Sequence, residues 1–205
     1  MDGRSGMMEP TKVAVLGTLA EFHSEPIPYD LVALVRLVAD VSPDLLCLDI
    51  TPEKWQARDF NDLTPEYRDA LLPLAHQTDI VVAPIACENP PQEPTAGGWR
   101  GRLITRFRRW LATIQRTAPG PAAVNQGWRH EVANLLYHLI ATLAGGRAFQ
   151  EWETHRNYLI KQVLELADRD PGRRILVVVN VRHCHHIRPA LKKDPNVQVV
   201  LYSEL

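Results

Sequence analysis

Short, continuous apolar runs alternate with amphipathic stretches along most of this chain. Lys12 to Leu16, Leu45 to Ile50, Asp79 to Ala83, Arg174 to Asn180 and Val197 to Tyr202 each have the length and bounding residues of a strand. Between the first two, Leu31, Leu34, Val35, Val38 and Val41 recur at helical spacing, and Ser42-Pro43-Asp44 stops that helix. A second helix opens with Thr64 as N-cap and Pro65 in its first turn. Strands alternating with helices predict an α/β fold, a mostly parallel central sheet of about five strands flanked by helices. Arg174 to Asn180 is too continuously apolar to have a wet face, so it belongs in the centre of the sheet.

The middle third has a different pattern. Cys87 to Gly101 is rich in proline and glycine and reads as a long loop. Beyond it, Trp99, Leu103, Phe107, Trp110, Leu111 and Ile114 fall at helical steps among Arg100, Arg102, Arg106, Arg108, Arg109 and Arg116, with no acid between them. This is a basic amphipathic helix. The spacing predicts two more helices, from Asn125 to Ala144 and from Ala148 to Asp168, with Gly145-Gly146 as the break. The expectation is a single α/β domain over residues 1–205, with 88–146 a loop and helical insertion before the last strands.

Composition narrows the partners. The 205 residues are 45% hydrophobic and carry a formal charge of -1, which gives no global case for specific nucleic-acid binding. No apolar run approaches the roughly 18 residues needed to span a bilayer, and the first ten residues lack a signal-peptide core, so a cytoplasmic protein without membrane association is expected. Cys47, Cys87 and Cys184 are odd in number and widely spaced, which indicates neither a disulfide framework nor a zinc knuckle.

Ligands of open parallel sheets bind beyond the carboxyl ends of the strands. That rule selects Glu21 and His23 after the first strand, Asp49 at the end of the second, and Asn180, Arg182 and His183 after the central one. Asp49, just before Thr51-Pro52-Glu53, also fits a helix cap, and the neighbouring His185 and His186 fit a solvated loop. Arg156 lies inside the apolar face formed by Phe149, Trp152, Leu159, Ile160, Val163 and Ala167, where a guanidinium either snorkels off the helix end or meets a buried carboxylate; its mid-face position favours pairing, with Asp49 the expected partner. His155 and Glu153 flank the same face. His76, His130 and His138 lie on helices away from the strand ends and read as surface or packing residues.

The segments VAVLGTLAEFH (13–23), SPDLLCLDI (42–50), HRNYLI (155–160) and RRILVVVNVRHCHHI (173–187) follow one another in a recognisable order. Together they resemble the TraB/PrgY, TIKI, ChaN and erythromycin-esterase superfamily. That resemblance implies an α/β domain with its site at the strand ends. Against the superfamily's Gly-x-x-His, Glu, Glu-Arg and second Gly-x-x-His, this chain has Ala20 with His23 nearby, Asp49 for Glu, His155-Arg156 followed by Asn157, and Asn180 before His183.

The resemblance implies hydrolysis of a peptide or ester bond in a small-molecule or peptide substrate. His23, Asp49, Arg156 and His183 would carry it, with His23 and His183 binding a divalent metal or acting as general base. Glu21, His155, Asn157, Asn180 and Arg182 would contact the ligand. The ChaN branch implies an alternative, a haem- or small-ligand-binding protein without turnover. A third reading is an interaction module in which the free face of the helix 99–116 lies on an anionic membrane or forms a homodimer interface; the plainer alternative buries Trp99, Leu103, Phe107 and Trp110 against the sheet and leaves the arginines as a solvated rim.

Overall fold

The computed structural model describes residues 9–205. Five parallel strands form one sheet in the order β3-β2-β4-β1-β5. They are β1 (Thr11–Thr18), β2 (Leu45–Leu48), β3 (Val81–Pro84), β4 (Arg174–Asn180) and β5 (Val197–Val200). The fold class expected from the alternation of apolar runs is the one observed. β4 returns from the far end of the chain to lie between β2 and β1, and its five inner residues are buried.

Both faces of the sheet are covered, and the period-two geometry of a strand decides which residue meets which layer. Ala14, Leu16, Leu46, Leu48, Leu176 and Val178 pack with Leu34 and Val38 of α1 (Leu31–Val41). Val13, Val15, Leu45, Cys47, Ile175 and Val177 face the other way, with Leu159 and Val163 of a later helix. α1 starts where the Asp30 carboxylate accepts from the Ala33 amide at 2.8 Å. It ends at Ser42, which is left-handed at φ 45°.

After β2 the chain forms α2 (Pro52–Ala57), capped by the Thr51 hydroxyl, which accepts from the Lys54 amide. The helix expected from Thr64 is wound as a π-helix over Glu66–Leu71 before α3 (Leu72–His76). Pro73 lies just beyond the wide turn, and its missing amide cannot serve the carbonyl four residues back. Thr64 anchors the start through its carbonyl, which accepts from Tyr67 and Arg68, while its hydroxyl caps no amide.

Four helices join β3 to β4: α4 (Gly98–Arg116), α5 (Pro121–Asn125), α6 (Gly127–Ala144) and α7 (Gly146–Arg169). α7 covers the sheet. α4 packs instead on α6 through Ile104, Leu111, Ala133, Leu136 and Ile140, with Phe107 and Ile114 half-buried against them. The expected face of Trp99, Leu103, Phe107 and Trp110 on the sheet is therefore corrected: Trp99 is 59% and Trp110 48% exposed. Each indole lies near an arginine of its own helix, Arg100 at 5.7 Å and Arg106 at 5.0 Å from the ring centre. Among the described residues, no helix is long and apolar enough to cross a membrane.

The histidine-rich segment expected as a loop is α8 (Val181–Leu191), which begins directly at the end of β4. Its N-cap is Asn180, whose side chain accepts from the Arg182 amide at 3.2 Å. The first residue of α8 sits on Gly17 of β1 so closely that a Cβ at Gly17 would lie 2.8 Å from the Val181 Cα. Gly17→Ala must push α8 off the sheet. We expect a loss of about 2 kcal/mol, as overpacking of a tight core commonly costs, read as a lower urea midpoint at unchanged m-value; an unaltered midpoint would show that α8 gives way freely.

Candidate functional site

Alternation along β2 places Leu48 on the α1 layer and the next residue, Asp49, on the α7 side. There it meets His155. The ring Nε2 donates to Asp49 Oδ2 at 3.2 Å, and Oδ1 lies equally near without hydrogen-bond geometry, leaving it buried and unpartnered. The other ring nitrogen, Nδ1, is 3.1 Å from the Cys87 sulfur, just beyond β3. His183, in the first turn of α8, packs its ring edge-on to His155 with centroids 5.3 Å apart. Ligand atoms of Asp49, His155 and His183 all lie within 4.8 Å of one another.

Burial sets the chemistry of these groups. His183 is driven well below the usual histidine range by desolvation, with Arg182, His155 and Arg156 adding positive potential. It is therefore a neutral ring at physiological pH, and Arg182 Nε donates to its Nε2 at 3.0 Å. Arg182 is in turn paired with Glu93 of the loop after β3. Desolvation also pushes the Cys87 thiol upward, so the sulfur is protonated at neutral pH. The centre opens on a cleft of about 780 Å³ between the loop Asn89 to Thr95 and α7, and Cys87 and His155 form part of its wall.

Comparison with protein-family models, with curated proteins and with solved structures finds no match. The site must be read from its own geometry.

That geometry redistributes the residues selected from the sequence. Asp49, His155 and His183 come together, and Arg182 supports His183. His23 does not join them. Its Nδ1 donates to the Tyr29 carbonyl at 2.8 Å and its Nε2 accepts from the Leu19 amide at 2.9 Å, so both ring nitrogens are spent on folding the β1–α1 connection and no lone pair is left for a metal. Arg156 is buried, but the expected pairing with Asp49 is replaced by His155–Asp49; among the described residues it makes no ion pair. Glu21 and Asn157 are exposed, and Asn180 is occupied as the α8 cap.

Two residues have no counterpart among those selected. Cys87 lies in a segment whose sequence signals only a loop. Glu66 is buried on the π-helix, where Thr18 donates to its Oε1 at 3.2 Å and its Oε2 has no partner; burial raises its pKa. A buried acid in an otherwise amphipathic helix was the available sign. A second group of histidines and acid, His130, Glu131 and His185, gathers where α6 meets α8. There His130 uses Nδ1 to bond the Val124 carbonyl at 3.0 Å.

Burial holds His23 down to about 4 from an ordinary 6.5, so the unfolded chain binds the proton first as pH falls. Stability present above pH 6.5 is then lost toward pH 4, by about 3 kcal/mol from this residue, and His183 adds in the same direction. Denaturant unfolding across that range checks it, and constant stability would refute the burial argument. Glu66 acts oppositely, losing stability as pH rises through its raised folded pKa. Glu66→Gln should therefore raise the unfolding midpoint at pH 7.5 and flatten that part of the profile.

Proposed function

We propose that the chain is a hydrolase of ester or peptide bonds whose centre is Asp49, His155 and His183 at the carboxyl ends of β2 and β4. The observation that carries this reading is a carboxylate and two imidazoles gathered behind the wall of a cleft of about 780 Å³, which His155 alone of the three lines. A divalent metal of the zinc, manganese or iron type would satisfy the unpartnered Asp49 Oδ1 and would be held by the two imidazoles only on exchanging their present bonds, with His183 Nε2 released by Arg182 and His155 Nε2 giving up the proton it shares with Asp49. A metal held there supplies a Lewis acid and a water of lowered pKa. The resemblance to the TIKI and erythromycin-esterase branches points the same way.

The chain's own groups have separate tasks in this proposal. Asp49 orients His155 and neutralises positive charge that develops on its ring. Arg182 fixes the His183 ring and ties it, through Glu93, to the loop that roofs the cleft. Pro90, Pro91 and Pro94 of that loop border the cleft.

The thiol contact favours a second reading. Cys87 can give its proton to His155 Nδ1 while its sulfur attacks the acyl carbon. The thioester forms as the alcohol or amine leaves with that proton, and water then releases the acid and restores the thiol.

The experiment compares one assay under two treatments. With chromogenic ester and peptide substrates, metal dependence predicts loss of activity on chelation, restoration by added zinc or manganese, and a fall of about 100-fold or more in Asp49→Asn and His183→Gln. Thiol alkylation and Cys87→Ser should then have little effect. The reverse pattern assigns the thiol route, and a protein that neither binds a divalent ion through these residues nor turns over substrate refutes hydrolysis.

A further inference from the structure

α7 and α8 each place a histidine toward Asp49 and, at the adjacent position, an arginine toward α6. Arg156 follows His155 and Arg182 precedes His183, and the two arginines line a second cavity on the far side of the histidines. Its wall also contains Asn134 of α6, Trp152 of α7 and His186 of α8.

The polar atoms of this wall are unusually short of partners. Arg156 is only 8% exposed and has no carboxylate within ion-pair distance among the described residues. Trp152 is 5% exposed, and its indole N–H is buried with no acceptor. The Asn134 amide is likewise buried without a partner at either its oxygen or its nitrogen. Arg182 stacks over the Trp152 ring at 5.0 Å, but its charge is already answered by Glu93. Among the described residues no acid lines the cavity.

A desolvated guanidinium, an indole N–H and an amide NH₂ are then three donors on residues that line one cavity. The Arg156 charge has no direct counterion among the described residues: the field of the exposed Glu153 reaches it, but the two form no ion pair. A water molecule could accept from the donors but would leave that charge in place, and a divalent anion would exceed it. The cavity is about 20 Å³, room for one water-sized group. We propose that this cavity is a binding site for one small monoanion, a halide or the end of a carboxylate, held by Arg156, Trp152 Nε1 and the Asn134 amide.

The inference does not rest on hydrolysis at the neighbouring centre. It does explain why Arg156 is buried without Asp49: its counterion is a ligand rather than a side chain. It also separates two sources of the same chemistry. A free halide needs only the cavity, whereas a carboxylate must reach it from the surface beside the exposed His186.

The test is thermal unfolding of the whole chain in sodium chloride, bromide, acetate, phosphate and gluconate at equal ionic strength. Gluconate carries a bulky hydroxylated chain next to its carboxylate, where acetate carries only a methyl, and serves as the reference. Saturable stabilisation by chloride and bromide is expected, and stabilisation by acetate alone would assign the site to carboxylates. Phosphate should behave as gluconate does. Arg156→Gln should abolish the saturable response, and Trp152→Phe, which keeps the ring but removes the N–H, should weaken it about tenfold. If Arg156→Gln does not fold, the Trp152→Phe titration and a bromide-soaked crystal decide. An anomalous bromide peak beside Arg156 supports the site. A response shared by all salts, a response retained in Arg156→Gln, or water alone in the cavity of the bromide crystal overturns it.

Discussion

Beyond Ala14, the outer edge of β1 has no neighbouring strand among the described residues, and its backbone is satisfied by side chains. β5 pairs only with Thr11 to Ala14. Past that point Arg188 of α8 donates to the Val15 carbonyl at 2.8 Å, and Asn125 meets Gly17 twice, accepting from its amide at 2.6 Å and donating to its carbonyl at 3.2 Å. Arg188 also binds the Asn125 carbonyl and side chain, and the Tyr29 hydroxyl donates to Gly17 from the other side. Buried backbone groups without partners are costly, so this knot fixes α5 and α8 to the end of β1. It works only at the distance that a glycine permits.

The centre inherits its position from that knot. With Val181 pressed on Gly17 and Asn180 capping the helix, His183 in the first turn of α8 meets His155 of α7. Alternation in β2 then delivers Asp49 to the same place, and the run of buried α7 residues from Trp152 through Leu159 brings both His155 and Arg156 under cover. Adjacent helical positions point about 100° apart, so one helix serves a carboxylate with His155 and a separate cavity with Arg156. The division of labour is a consequence of helical pitch.

Electrostatics at this end of the sheet follow from desolvation more than from pairing. His23 and His183 are both depressed chiefly by burial, yet the first is sealed by two backbone hydrogen bonds and the second is held by Arg182 facing another histidine. Similar burial therefore produces a folding element in one case and a candidate ligand in the other. The helical layer above contributes chiefly the roof. α4 is fastened to α6 by aliphatic contacts, while Arg108 bonds Glu93 and the Pro94 carbonyl, and so holds the loop that borders the cleft.

The sheet was legible in the sequence because continuous apolar runs can be buried on two faces only between helices, and that constraint acts locally, residue by residue. Asp49 and His183 were legible as chemistry at strand ends, since the rule that places sites there needs only the strand assignments, whereas His155 was legible only as a neighbour of Arg156 on a helix face. Partners were not legible. Whether Asp49 meets Arg156 or His155 depends on the rotation of α7 about its axis, a difference of one residue, which apolar periodicity does not resolve when both positions are buried. The same holds for α4, whose tryptophans and isoleucine compete for one face. Its docking on α6 selects Ile104 and leaves Trp99 and Trp110 outside. His23 and Cys87 depend on contacts made across loops, and loops carry no periodic signal. Composition and periodicity determined the strands, the layers and the end of the sheet where chemistry collects; only tertiary packing decided which polar atoms share a hydrogen bond, because that is set by helix rotation and strand order together.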